Sequence, residues 1–347
     1  MYDHPSFDKH ERVVFAHDAA SGLRAIVAVH STARGPGAGG CRFWHYDSTN
    51  AALADALRLS RGMSYKNAMA GLPLGGGKAV VMLDPERPKT PAMLEAFGRY
   101  VESLQGEYIT AEDVGASVAD MEIVAGQTRY VSGLPRTAVS SDGNPSPKTA
   151  LGVYLGIKAA VKFKLNKDQL RDLTVAVQGL GGVGYELCKL LAADGAKLRV
   201  ADVREAVTQK AAAQFDAVVS TPDQILFERA DVLAPCALGA IFDATSIPKL
   251  QTSIVAGAAN NQLATAQDGA RLHAAGVLYA PDYVINAGGI ISCGREYLGG
   301  ATAASIDAEI HRIPARLTEI FARSGATGRP TSELADEMAR QLLAEAR

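Results

Sequence analysis

Residues 174–184, TVAVQGLGGVG, carry a β-branched apolar run straight into Gly179-x-Gly181-x-x-Gly184. A helix-forming stretch, YELCKLLAADG, follows at once, and the next apolar run, KLRVAD, ends in Asp202. Strand, glycine turn and helix in that order expose backbone N–H groups at a helix N-terminus, where a pyrophosphate is stabilised. An acid closing the second strand can accept hydrogen bonds from an adenosine ribose. With strand, helix and acid all in place, the pattern predicts a dinucleotide site rather than a tight structural turn. A carboxylate at Asp202 repels a 2′-phosphate, which favours NAD over NADP, whereas Arg204 beside it would receive one. NAD is the expected cofactor.

A chain of 347 residues exceeds the roughly 250–300 at which one core splits, so two domains are expected. The net charge of −2 and single Trp give no support to a nucleic-acid groove or a membrane-surface face. The N-terminal stretch has no apolar core of signal-peptide type, and no apolar run is long enough to span a bilayer. A cytoplasmic protein with neither nucleic-acid nor membrane partners is expected. Cys41, Cys188, Cys236 and Cys293 are scattered without a CxxC pair, and the histidines show no HExxH spacing. Neither disulfide nor metal use is expected.

Before residue 140, strand-like and helix-like segments alternate. LRAIVAVH (23–30) reads as a half-buried strand, and the stretch from Asn50 to Gly71 has helical periodicity. Thr90-Pro91 opens another helix with a capping residue and a proline at the first helical position. EYITAED (107–113) reads as a strand ending in two acids. The turn-rich stretch 140–150 is the boundary candidate, and Ser146-Pro147 then starts a helix to about Lys162. Strands are predicted at 174–178, 198–202, 216–219, 231–235, 253–257 and 277–280, the set that a doubly wound sheet requires. The fold expected is therefore two α/β domains separated by a cleft. A substrate-binding and catalytic domain spans 1–140, and a Rossmann dinucleotide-binding domain spans 141–324. The helical tail of about 325–347 is expected to return to the first domain.

The densest candidate for chemistry is Ser64-Tyr65-Lys66-Asn67-Ala68, followed by Gly71-Leu72-Pro73-Leu74-Gly75-Gly76-Gly77-Lys78. Glycine permits backbone paths closed to other residues, so Lys66 and Lys78 can approach each other. Two ammonium groups in a dehydrated cleft disfavour one another's charge, and burial adds to the effect. One lysine then serves as a general base near neutral pH and the other as a fixed cation for a substrate carboxylate. The alternative is a pair of solvated lysines at element ends. Asp113 is either a helix cap or an anchor for a cationic amine. Gly37-Ala38-Gly39-Gly40 is either a plain turn or a close backbone approach to a ligand.

These segments together resemble the amino-acid dehydrogenase family, the glutamate, leucine, phenylalanine and valine dehydrogenases, nearest to its leucine and phenylalanine branches. The resemblance runs from about Val29 to the C-terminus. It rests on GPGAGGCR (35–42), MSYKNAMAGLPLGGGKAV (63–80), TAEDVG (110–115), GNPSPKTA (143–150), the VQGLGGVG loop, APCALGA (234–240), AGAANNQL (256–263) and YAPDYVINAGG (279–289). It implies NAD-dependent oxidative deamination of an L-amino acid to a 2-oxo acid and ammonia. Lys66 would hold the substrate carboxylate, with Gly39 and Gly40 lining that end. Lys78 would activate the water that attacks the imine, and Asp113 would bind the amino group and tune Lys78. Asn260 or Asn261 would contact substrate and nicotinamide. Arg42, Ser146, Thr149, the loop Gly179-Leu180-Gly181-Gly182-Val183-Gly184, Asp202, Val203, Cys236 and Ala237 would line the cofactor.

By the same resemblance, Ala38, Met63, Ala111, Ile290 and Cys293 would surround the substrate side chain. All five are apolar or nearly so, which argues against glutamate, whose carboxylate needs a cation. Ala38 suggests a widened pocket and Ile290 a narrowed one, so mixed acceptance of Leu, Phe, Met and Val is expected. A homo-oligomer is implied. Against the octameric leucine branch the chain lacks a stretch beyond Arg347, so a dimer is expected, with the octamer as alternative. Two other readings compete. A hydroxy-acid or opine-type dehydrogenase would place a histidine opposite the nicotinamide, but the candidate His273 lies in a predicted peripheral helix. A non-catalytic NAD-binding protein would not need Lys66, Lys78 and Asp113.

Overall fold

Apolar runs punctuated by glycine turns supply the strands of the N-terminal half. The elements are β1 (Arg12–Asp18), β2 (Leu23–Ser31), β3 (Gly37–Ala38), β4 (Cys41–Trp44), α1 (Thr49–Met69), β5 (Gly75–Met82), α2 (Pro91–Ser103), β6 (Tyr108–Ile109) and α3 (Val118–Ala125). The computed structural model describes residues 1–134 and 144–346. Helix α2 begins as expected, with the Thr90 side chain accepting from the Met93 amide and Pro91 at the first helical position.

The strands form one mixed sheet in the order β1-β2-β5-β3-β6, with β4 also pairing with β5. β1, β2 and β5 run antiparallel, whereas β3 and β4 run parallel to β5. Strand β2 is buried along its whole length apart from Arg24, which corrects the half-buried expectation. Both of its faces are covered. Ile26 and Ala28 pack with Ala52, Ala56 and Leu57 of α1, while Ala25, Val27 and Val29 join a cluster with Met93, Leu94 and Phe97 of α2. The expected strand 107–113 is a ladder only at Tyr108–Ile109. Beyond it the chain makes single bridges, Thr110 to Val131 and Cys41 to Glu112, because its partner changes at each step.

The C-terminal half contributes α4 (Ser146–Leu165), β7 (Thr174–Gln178), α5 (Gly182–Ala193), β8 (Lys197–Ala201), α6 (Glu205–Phe215), β9 (Val218–Val219), β10 (Ala230–Pro235), β11 (Thr252–Val255), α7 (Ala266–Ala274) and β12 (Leu278–Tyr279). Helices α8 (Asp282–Ile285), α9 (Gly288–Leu298), α10 (Ala303–Ile310), α11 (Ile313–Thr327) and α12 (Thr331–Ala344) complete it. Its six strands are all parallel, in the order β12-β11-β10-β7-β8-β9. Successive strands step outward from β7 in one direction and, from β10, in the other. This is the doubly wound topology expected, with its switch point between β7 and β10.

The described residues divide into two compact units. One takes those of Met1–Asn144, Cys293–Ala303 and Ala339–Arg347; the other takes those of Pro145–Ser292 and Ala304–Met338. The boundary expected at 140/141 lies outside the described residues. Residues 293–303 group with the first unit rather than the second, since Ser132 Oγ donates to the Cys293 carbonyl at 3.1 Å. A β-carbon on Gly294 would also lie 3.2 Å from Leu72 and Leu74. Of the tail, residues 325–338 stay with the second unit. Thr331 donates to the Tyr279 carbonyl (2.7 Å) and Tyr283 to Asp336 (2.9 Å). Among the described residues no helix is long and apolar enough to cross a membrane.

The N-terminal segment is held on the first unit by two histidines. His10 Nε2 lies 2.9 Å from the Leu57 carbonyl, and His30 Nδ1 lies 2.8 Å from Ser64 Oγ. Their rings meet edge-on with centroids 4.9 Å apart. Burial, then the His10 ring and Arg61, push His30 down from 6.5 to about 4, against the opposing pull of Asp8 and Glu11. The stabilisation from a neutral His30 is complete above 6.5 and is lost as pH falls from there towards about 4. Thermal melts between these limits should show stability declining with acid, with a shallower decline in His30→Gln. An identical decline in that variant would contradict the assignment.

Candidate active site

Lys78 lies inside β5, is 5% exposed, and pairs in register with Ala28 of β2. Its Nζ sits 2.9 Å from Asp113 Oδ2. The same Oδ2 accepts from Arg42 Nε at 3.0 Å, so one carboxylate oxygen serves two cations. Burial opposes the ionised form of Asp113, but Lys78 and then Arg42 outweigh it and hold the carboxyl below its ordinary value. The neighbouring Glu112 moves the other way, pushed up by burial and by Asp113. The capping alternative for Asp113 does not hold, because the cap of α3 is Ser117. Nor is Lys78 a solvated lysine at an element end.

Glycines bring this region together by letting backbone meet backbone. A β-carbon on Gly39 would fall 2.0 Å from the Gly77 carbonyl oxygen and 2.9 Å from Met63 Cγ. One on Gly40 would fall 2.5 Å from the Glu112 carbonyl oxygen and 2.9 Å from Asp113 Cβ. On Gly76 it would fall 2.1 Å from the Ser64 amide nitrogen, so α1 rests directly on β5 just before Lys66 and Lys78. The Tyr108 hydroxyl, buried among these groups, donates to the Gly39 carbonyl at 2.7 Å. Ala38 is buried in β3 between β5 and β6, and the Ala111 carbonyl accepts from the Cys41 amide at 2.8 Å. Lys66 and Met63 are half-buried on α1. Cys293 belongs to this unit too, and burial pushes its thiol up to about 12, so it stays protonated and unreactive. Ile290 lies half-buried in the first turn of α9 and groups with the second unit.

In the second unit the candidate dinucleotide residues gather at the switch point. Gly179 has φ +91°, a left-handed turn that favours glycine, and a β-carbon there would lie 2.7 Å from Ala237 Cβ. One on Gly184 would lie 2.0 Å from the Gly179 carbonyl oxygen and 3.2 Å from Cys236 Cβ. Ser146 Oγ would be 2.6 Å from one on Gly182. Thr149 Oγ1 donates to the Pro145 carbonyl. Gly181 alone of these four faces open space, with nothing among the described residues within 4 Å of its β-position. These residues fit a dinucleotide: Gly179 and Gly184 are required by the fold, and Gly181 leaves room at the N-terminus of α5 for a pyrophosphate. Leu180 and Val183 complete the loop, and Val203 stands 87% exposed beside Asp202.

Asp202 is more constrained than the sequence implied. Its Oδ2 accepts from the Leu180 amide at 2.7 Å, and its Oδ1 from both the amide and Nε of Arg204 at 2.9 Å. The Arg204 side chain, with the two backbone amides, holds the carboxyl at about 2 despite some burial. Arg204 is thus occupied by the acid it adjoins. Asn260, after β11, accepts from Asn286 Nδ2 at 2.8 Å, which orients its side chain; Asn261 sits at φ +52°. Sequence reasoning missed Asn286, although it lies within YAPDYVINAGG. It is 3% exposed, and its Oδ1 has no hydrogen-bond partner among the described residues. Also missed were Tyr46, in the loop before α1, and Asp55, within it. Arg42, expected at the cofactor, has two of its nitrogens paired with Asp113 and Asp55. His273 is exposed in the last turn of α7.

Residues 10–130 match the Glu/Leu/Phe/Val dehydrogenase dimerisation domain, and residues 198–329 match the glutamate/leucine/phenylalanine/valine dehydrogenase domain. The leucine dehydrogenase of Geobacillus stearothermophilus is 47% identical over 332 residues, covering 96% of this chain and 90% of that one. The chain belongs to the Glu/Leu/Phe/Val dehydrogenase family. The valine dehydrogenase of Streptomyces coelicolor is 46% identical over 342 residues, 97% of this chain and 93% of that one. The structure of L-tryptophan dehydrogenase from Nostoc punctiforme superposes with a TM-score of 0.85 at 41% identity, over 97% of each chain. As a member of this family the protein is an amino-acid dehydrogenase, an oxidoreductase of the oxidative-deamination class.

The open side of Gly181 gives a specific expectation. Gly181→Ala should change the melting free energy by no more than about 1 kcal/mol, the scale of a helix-cap change. Dinucleotide binding, followed by fluorescence titration, should fall by at least about tenfold because the new methyl group occupies the pyrophosphate position. Unaltered binding would show that the loop does not hold the phosphates.

Proposed function

We propose that this chain catalyses the reversible, NAD-dependent oxidative deamination of hydrophobic L-amino acids in the cytoplasm, giving a 2-oxo acid and ammonia. The observation that carries the assignment of roles is the buried Lys78 ammonium 2.9 Å from a carboxylate that Arg42 also engages. Asp113 Oδ1 takes no hydrogen bond from the described residues, which leaves that oxygen for the substrate's amino group. Lys66 holds the substrate carboxylate, with Gly39 and Gly40 backbone alongside. Lys78 must first give up its own proton to solvent; once the amino acid has become an imine, the neutral Lys78 amine takes a proton from the attacking water and returns it to the departing ammonia. Asp113 keeps the lysine oriented throughout, and the buried setting strengthens each of these charge interactions.

NAD supplies the hydride acceptor. The loop Gly179–Gly184 would hold its pyrophosphate, with Ser146, Thr149, Cys236 and Ala237 beside it, and Val203 offers an exposed apolar surface to the adenine. Asp202 favours an unphosphorylated ribose, and Arg204 is already paired with that acid, so a 2′-phosphate would have to break the pair. Asn260, held by Asn286, is the asparagine better placed to orient a ligand. The other nitrogen of Arg42 remains for a cofactor contact.

Hydrophobic substrates are supported by the five side-chain candidates, Ala38, Met63, Ala111, Ile290 and Cys293, none of which brings a cation. The leucine, valine and tryptophan dehydrogenases among its relatives accord with that class. A homo-oligomer, with a dimer favoured, accords with the dimerisation-domain match over residues 10–130.

NADH formation with a panel of L- and D-amino acids and hydroxy acids tests this reading. Aliphatic and aromatic L-amino acids should be oxidised, while D-isomers, lactate and L-glutamate remain inert. Lys78→Ala should lose about 10²- to 10⁴-fold in kcat, the usual contribution of general acid–base catalysis, while still binding NAD. Near-normal turnover in that variant would remove Lys78 from the mechanism.

A further inference from the structure

The ion pairs around Asp113 do not end at Arg42. Arg42 Nη1 donates to Asp55 Oδ2 at 2.9 Å, and the Tyr46 hydroxyl donates to the same oxygen at 2.7 Å. Lys78, Asp113, Arg42, Asp55 and Tyr46 therefore form one continuous chain, drawn from β5, the segment after β6, β4, α1 and the loop between β4 and α1. Arg42, Asp55 and Asp113 have side chains only 22–24% exposed, so this is no solvated surface pair. Burial and Asp55 both push the Tyr46 hydroxyl up, so it stays protonated and remains a donor. Arg42 stays charged throughout, since Asp113 and Asp55 outweigh its burial.

A guanidinium is a rigid planar fork, so fixing Nη1 on one carboxylate fixes where Nε points. Without Asp55, the guanidinium would be free to rotate about its stem and pair with Asp113 through any of its nitrogens. With Asp55 in place, Nε meets Oδ2 of Asp113, the oxygen that Lys78 also uses, and Oδ1 is left open. We infer that Asp55, secured by Tyr46, is a positioning residue for deamination: through Arg42 it sets the orientation of Asp113 and balances the charge around Lys78. This rests on the proposed roles of Asp113 and Lys78. The four charged members sum to zero, two cations against two carboxylates. Among the described residues, Glu112, Cys41 and Tyr108 are the other titratable groups that bear on Asp113 and Lys78, and the Tyr108 hydroxyl, pushed up by burial, stays protonated and brings no charge. The Cys41 thiol, pushed up to about 12 by burial, brings no charge.

The test measures kcat, KM for the amino acid, and the pH dependence of kcat/KM in the full-length enzyme, for wild type, Asp55→Asn, Asp55→Glu and Tyr46→Phe. Asp55→Asn leaves the cluster with one net positive charge, which disfavours a further proton. Its acid limb should move to lower pH by roughly half a unit, with kcat reduced about five- to tenfold through loss of an anchoring hydrogen bond to a charged group. Asp55→Glu restores the charge and should bring the limb back to the wild-type position. Tyr46→Phe keeps every charge and should lower kcat severalfold with the limb unmoved. A wild-type acid limb and kcat in Asp55→Asn would overturn the inference. Should that variant not fold, an unchanged kcat in Tyr46→Phe would overturn it instead. Asp113→Asn, run alongside, separates the two levels. If it kept full turnover, the assigned role of Asp113 would fail and this inference with it; if it lost turnover while Asp55→Asn did not, only the inference would fail.

Discussion

Oδ2 of Asp113 is shared by Lys78 Nζ and Arg42 Nε, at 2.9 and 3.0 Å, and the rest of the first unit is arranged so that this sharing is tolerable. A lysine 5% exposed is costly to bury as a cation unless a carboxylate compensates it. A single carboxylate facing two cations is in turn under-compensated, and Asp55 supplies the missing charge. The result is a neutral cluster whose parts cannot be moved independently. Asp113 is ionised because of its neighbours, and its neighbours are oriented because it is ionised.

Glycine makes that cluster possible from behind. Side chains at Gly39, Gly40, Gly76 or Gly77 would collide with backbone or with buried side chains, and the strands would have to part to admit them. Their absence draws β3, β5 and the chain after β6 close enough for Lys78 and Asp113 to meet. The second unit uses the same device for a different end. There, Gly179 and Gly184 allow strand and helix to pack tightly, while Gly181 faces open space at the helix N-terminus. One set of glycines closes a gap between protein groups, and the other leaves a gap for a ligand.

Much of this was legible in the amino-acid sequence. The alternation of strand and helix after Thr174, with its glycine loop and terminal acid, pointed directly to the doubly wound sheet, because those features are local. Asp113 and Lys78 could be singled out because each adjoins glycines or ends an apolar run. What stayed hidden were partnerships across long stretches of chain. Nothing around Tyr46 or Asp55 announces that they close a chain running to Lys78 through Arg42, since that contact depends on how α1 lies over β4 and β5. The uniform burial of β2 was also invisible, as alternation cannot report that helices cover both faces. Arg204 was read as a potential phosphate ligand because its pairing with Asp202 is a matter of side-chain geometry. Asn286 lies within the motif YAPDYVINAGG, whose sequence does not reveal that this residue holds Asn260 in place.

Lys78 and Asp113 are in direct contact, and the proposed chemistry requires that they act as one unit. A double-mutant cycle in kcat measures it most directly, comparing Lys78→Ala, Asp113→Ala and the double variant, each checked for NAD binding. If the two groups work together, the double variant should be little worse than the more damaged single one, a departure from additivity of about 2 kcal/mol or more. Losses that simply add would mean that the two side chains contribute separately, and would contradict a shared catalytic unit.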